Sequence, residues 1–249
     1  MKKIIYITLV FLFIACNSDN ESGCFNRAGT IVQREIEQVP FSKIVVFERV
    51  QLFLKQGPIQ KIIVESGENL IDNVEVMVAN DRLTLIDNNK CNFVRDYDKT
   101  KVYVTSPHIT EIRNSSSLEV SSIGILAFPK LALFVENYEN EDVYRVDGDF
   151  NLTVNVEELI IVSNGFSSFR LKGNANKAHF GLFAGNSRIL AEDLLINDLT
   201  LFHRSTNKMV VNPIESIKGE IVSLGDVIAK NKPPIVVVEE LFEGKLIFE

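Results

Sequence analysis

The chain has no tryptophan, and only three cysteines, three histidines and three methionines among 249 residues. The histidines, His108, His179 and His203, are scattered and no C-x-x-C spacing occurs, so no zinc site is expected. No basic stripe is present: 26 lysines and arginines are spread through the chain against 33 acids, net −7. Phosphate backbones need clustered positive charge, so nucleic acid is excluded as a partner. No stretch repeats apolar residues at i, i+3, i+4 and i+7 between caps, which argues against helices. The run Ile4 to Ala15 has 12 residues, short of the roughly 20 that cross a bilayer.

What is present is a repeat. Between Ile109 and Asp226 a short apolar pattern returns six times: Ile112-Arg113-Asn114, Val135-Glu136-Asn137, Val162-Ser163-Asn164, Phe183-Ala184-Gly185, Phe202-His203-Arg204 and Val222-Ser223-Leu224-Gly225. The first residues lie 23, 27, 21, 19 and 20 apart. Each segment alternates, as in Leu131-Ala132-Leu133-Phe134-Val135, which is the strand period. One such unit cannot bury its apolar face alone, whereas stacked copies bury a continuous core. The spacing predicts an all-β, right-handed, single-stranded β-helix, with a flattened sandwich as the alternative. Ile112, Val135, Val162, Phe183, Phe202 and Val222 should form one buried file. Asn114, Asn137 and Asn164 should stack at corners, and residues 139–142 and 147–151 should bulge outward as loops. Pro233-Pro234 breaks the period, and the two strands around Glu243-Gly244 read as a C-terminal capping hairpin.

The N-terminus reads as an address. Lys2 and Lys3 precede the apolar run, and Phe13-Ile14-Ala15-Cys16 resembles a bacterial lipobox. The expectation is a signal peptide over 1–15, a lipidated Cys16 that anchors the chain to the outer membrane, and a flexible polar tether over 16–23. A plain secretory leader is the alternative. Without residues 1–15, 24 basic and 33 acidic residues remain, net −9. An exported chain with two remaining cysteines predicts a Cys24–Cys91 disulfide, with two free thiols as the alternative. Closing a loop of roughly 67 residues would stabilise by at most about 4 kcal/mol.

Residues 24–249 read as one domain. From Phe41 to Asn89 short alternating strands follow one another: Ile44–Phe47, Gln51–Lys55, Lys61–Glu65, Val74–Val78 and Leu83–Ile86. Asn80-Asp81 marks a tight hairpin, so this part should be more antiparallel. Lys101–Thr105 is a further strand. Phe41-Ser42-Lys43-Ile44-Val45-Val46, Val50 to Gly57, Ile62-Ile63-Val64-Glu65 and Glu68-Asn69-Leu70-Ile71 resemble the opening of the head GIN domain family, DUF2807. Lys90 to Arg95 and Val102 to Pro107 are similar to its middle. The resemblance implies a β-helical exported protein, usually a lipoprotein of Bacteroidetes, with an adhesin-like role.

A carbohydrate-active enzyme would need carboxylates grouped on one face. The candidates are Asp96 with Asp98, Glu139-Glu141-Asp142, Asp147 with Asp149, and Glu157-Glu158, all placed at loops or corners without a matching third acid. No nucleophile elbow follows Ser115-Ser116-Ser117, and Gly181 and Gly185 form no phosphate loop. No catalytic, cofactor or metal residue is therefore assigned. His179 and His203 could stack on neighbouring windings. Phe166, Phe169, Phe180, Phe183 and Phe202 are expected in the core, while Phe150 and Tyr138 are the aromatics placed in loops. The reading is a non-catalytic binding or adhesion module for an extracellular glycan or protein. A carbohydrate-active enzyme and a structural envelope protein are the alternatives.

Overall fold

The computed structural model describes residues 27–89 and 100–249. Cys16, Cys24, Cys91, Asp96 and Asp98 lie outside the described residues. Among the described residues seventeen strands make one sheet of mixed direction. Helical backbone among the described residues is confined to the single turn Ile71–Asn73. The first seven strands are β1 (Ile31–Ile36), β2 (Lys43–Val46), β3 (Val50–Gln56), β4 (Lys61–Gly67), β5 (Val74–Ala79), β6 (Arg82–Asp87) and β7 (Thr100–Ser106). Antiparallel ladders join β1 to β4, β4 to β7 and β5 to β6, as expected of this half. The β5–β6 turn is Asn80-Asp81, both at positive φ (51° and 63°), the turn whose twist matches that of paired strands.

Next come β8 (Glu111–Asn114), β9 (Val120–Leu126), β10 (Lys130–Val135), β11 (Phe150–Ser163), β12 (Ser168–Leu182), β13 (Arg188–His203) and β14 (Met209–Ile221). Among these, every pairing is parallel. The beginning of β11 lies on β9 and its end on β10, so one long strand bends across two faces. Strands β12, β13 and β14 repeat that bend directly above it. Parallel ladders of this kind fit chains whose inner face is apolar along every strand.

The core follows from the alternation. Ile44, Ile112, Leu133, Ile161, Phe180 and Leu201 pair in sequence and are all buried. A fully buried side chain of this kind contributes about 2 kcal/mol relative to exposure. A parallel file, Val135, Ser163, Leu182, His203 and Ile221, runs beside it. The expected file of six is therefore wrong in register. Ile112 pairs with Leu133, not Val135, and Val162 and Phe202 belong to an outward row. A slip of one residue exchanges the two faces of a strand. Polar Ser163 and His203 occupy inward places that the apolar pattern had given to their neighbours.

The capping hairpin is also corrected. β15 (Val227–Ala229) and β16 (Ile235–Glu240) both run parallel to β14, and β17 (Leu246–Phe248) runs parallel to β15. β16 and β17 thus pair with different strands, and each extends a parallel ladder by one strand. The Gly244 N–H donates to the Ser223 carbonyl, which makes that turn another stacked corner.

Residues 136–149 form one loop where two were expected (139–142 and 147–151), Phe150 and Asn151 already belonging to β11, and the loop folds onto the outer face. The Tyr144 ring stacks on Phe47 at 5.9 Å, and the Arg113 guanidinium lies 4.4 Å from the Tyr144 centroid. Arg113 is buried with Glu136, 2.6 Å away, and also donates to the Glu136 carbonyl. Of the expected corner stack, the Asn164 amide donates to Asn137 at 2.8 Å. Asn114 instead holds its own turn, donating to the carbonyls of Leu118 and Asp149.

Candidate functional site

The outer face of β11 to β14 carries the feature that the core does not require. Val162, Gly181 and Phe202 are register partners pointing outward. A Cβ at Gly181 would sit 2.3 Å from the Phe183 ring, so a side chain there would displace that ring from its present place. Phe183, just past the end of β12, lies back over Gly181 and stacks on Phe202 with centroids 5.2 Å apart and planes inclined by 23°. The result is a shallow groove of about 200 Å³, lined by Ile160, Val162, His179, Phe183, Thr200 and Phe202. His179 is half exposed at its edge, 3.9 Å from the Glu158 carboxylate.

A second concavity lies where the strands bend. Asn155 and Asn174 are register partners, the Asn197 amide donates to Asn176 at 2.9 Å, and Asn176 donates to Glu157 at 3.2 Å. With Leu195 and Ile214 they border an open trough of about 560 Å³. Between trough and groove runs an alternating row, Glu158, Lys177 and Asp198. This surface offers aromatic faces, amides that both donate and accept, and balanced charge, which suits stacking and hydrogen bonding to a neutral polar partner.

The structure redistributes the aromatic residues. Phe169 and Phe180 are in the core as expected, but so is Phe150, which stacks on Phe169 at 5.4 Å. Phe183 is 37% exposed and Phe166 68%, against the expectation that both are buried. Tyr138 is exposed. The histidines do not stack: His179 pairs with Thr200, and His203 with Leu182. His203 is wholly buried, and neither ring nitrogen makes a hydrogen bond of good geometry. Burial pushes its pKa down to about 4, although backbone groups of Asn207 and Gly225 and the Asp226 carboxylate pull the other way.

The carboxylates considered for chemistry are dispersed. Asp149 accepts from the Ser168 N–H and Arg170, Asp147 from Ser117, and Glu157 from Asn176. Glu139 lies 3.6 Å from Arg113. Among the described residues no group of three metal-ligating side chains occurs. The amide ladder went unread in the sequence, although Asn155 and Asn174 are one winding apart, as are Asn176 and Asn197.

The family profile described as "Putative auto-transporter adhesin, head GIN domain" (DUF2807) matches residues 40–233. The chain belongs to this family. Its head GIN fold is similar to that of a "putative adhesin" of Bacteroides fragilis, with 20% identity, a TM-score of 0.79, and coverage of 90% of this chain and 100% of that one. A "putative adhesin" of Parabacteroides merdae has 16% identity and a TM-score of 0.61 over 89% of this chain and 97% of its own. A "putative lipid binding protein" of Parabacteroides distasonis has 14% identity and a TM-score of 0.61 over 89% and 100%. None of the curated proteins matches the sequence.

Proposed function

We propose that this head GIN protein is an exported, non-catalytic binding or adhesion module, held at the outer membrane by a lipid on Cys16. In this reading residues 1–15 are the leader and 16–23 the tether. Residues 24–249 wind as one right-handed β-helix, pinned at its N-terminal end by a Cys24–Cys91 disulfide. The contact surface is the aromatic groove and amide trough, and the partner is an extracellular glycan or protein. One observation carries the assignment of the surface: Phe183 and Phe202 stack on the outside, with the Phe183 ring lying over Gly181, away from the core. Aromatic faces held at a surface are contact elements. The described acids are dispersed, and Glu139, Asp147, Asp149 and Glu157 are each engaged by a neighbour, which favours binding over hydrolysis. A groove of about 200 Å³ accepts one ring rather than sheathing an acyl chain, so the lipid-binding name of one neighbour is not carried over.

The test compares residues 16–249 carrying Cys16→Ser with the same protein carrying Phe183→Ala and Phe202→Ala, on arrayed glycans and immobilised extracellular proteins. The expected result is saturable binding that falls at least tenfold in the double variant, with unchanged thermal unfolding. Binding that survives the double substitution would remove the groove as the contact surface.

A further inference from the structure

Among the described residues nothing covers the end of the stack at β16 and β17. There β16 pairs only with β14 and β17 only with β15, so both leave an outer edge unpaired. Leu241 donates its N–H to Ile221, and Glu249 donates to Ala229. By alternation Val236, Val238 and Glu240 turn their backbone groups to the open edge of β16, as Leu246 and Phe248 do in β17. Ile235, Val236, Val237, Leu241, Phe242 and Ile247 are there between 39% and 59% exposed. The opposite end of the stack differs in kind: β1, β4 and β7 and the β5–β6 pair are joined by antiparallel ladders, and the outer strands β1 and β5 are each paired on one side among the described residues. A long apolar edge with free backbone groups is a template for pairing with another strand.

We infer that this end docks a second copy of the chain, head to head about a two-fold axis. The charge pattern selects that occupant. The segment Lys245-Leu246-Ile247-Phe248-Glu249 is self-complementary when laid antiparallel on itself: centred on Ile247, it sets Lys245 against Glu249 of the other copy, twice. In β16, with Val238 at the centre, Glu240 falls opposite Val236 and Glu239 opposite Val237, so the carboxylates stay apart. A two-fold axis through the centre of a strand and perpendicular to it makes that strand antiparallel to its counterpart. Within one chain Lys245 is 3.2 Å from Glu240, and Lys230 holds Glu249. Across the axis these four groups join one alternating network. The Glu240 carboxylate accepts the Leu246 N–H at 2.9 Å, so β16 is the freer of the two edges and pairs first. Closed two-fold assemblies are the commonest outcome for such self-complementary surfaces.

Sedimentation velocity on residues 16–249 with Cys16→Ser decides it. The expected species is a dimer. Ile247→Lys and Ile247→Glu, which place like charges at the axis, each yield monomer, and mixing the two restores a species of twice the monomer mass. Val238→Pro removes an edge N–H that β14 does not use, so it gives a folded monomer. A wild-type monomer at every concentration overturns the inference. So does a dimer that all three variants retain, or a mass that keeps growing with concentration, which would mean head-to-tail stacking.

Discussion

Acid should destabilise this protein through one residue in particular. His203 sits in the inward file between Leu182 and Ile221, wholly buried and without a hydrogen bond of good geometry to either ring nitrogen. Folded, it resists a proton until about pH 4; unfolded, it takes one below the ordinary 6.5. The unfolded state therefore binds more protons across that interval, and stability declines as pH falls through it. The contribution is whole above about 6.5 and lost below about 4. At 1.36 kcal/mol per unit of pH, the gap corresponds to roughly 3 kcal/mol. That is a large part of the ~5–15 kcal/mol by which domains are stable. Carboxylates titrate over the lower part of the same range, so the measurement has to be a difference. Urea unfolding of wild type and His203→Leu, each at a series of pH values from 7.5 to 4, isolates the histidine. The wild type should lose roughly 3 kcal/mol more than the leucine variant across that span. A difference between the two proteins that stays constant with pH would refute the reasoning, whatever the absolute stabilities.

Two further outcomes follow from close contacts. Gly219 lies at φ +133°, where a Cβ would stand 1.8 Å from the Leu201 carbonyl oxygen, so Gly219→Ala should cost about 3 kcal/mol or more in urea unfolding. Arg113→Ala strands the buried Glu136 carboxylate and removes the platform under Tyr144. It should cost about 3–5 kcal/mol and open residues 136–149 to protease, whereas Arg113→Met with Glu136→Gln should recover most of the loss.

The all-β class and the parallel pairing of the later strands could be read from the sequence because their cause is local. Alternation sets which residues can share a face, and a spacing near twenty sets where the chain returns. The antiparallel N-terminal ladders were readable for a similar reason, since Asn80-Asp81 tolerates the positive φ that the hairpin needs. Register was not readable. It depends on the bends, where the ladders shift between Arg170 and Lys172 and between Leu190 and Leu195. Beyond such a shift, an apolar pattern cannot say which of two adjacent hydrophobic residues points inward. Phe150 and Phe183 show the consequence: the one expected in a loop is buried, and the one expected in the core is on the surface.

The corners carried more information than the strands. Gly165, Gly185, Ser205, Gly225 and Gly244 recur at intervals of 20, 20, 20 and 19 residues, and backbone bonds tie successive corners together, as from Asn186 to Gly165 and from Gly225 to Ser205. A small residue is required there because a Cβ at Gly185 or Gly244 would meet the carbonyl of the corner below at 2.2–2.3 Å. That rhythm continues through Gly244, so the segment after Pro234 belongs to the stack. A hairpin cap would have broken it. The same spacing that places β16 and β17 on the column therefore leaves their edges open, and an end that no part of the described chain covers is the physical reason to look for a second copy.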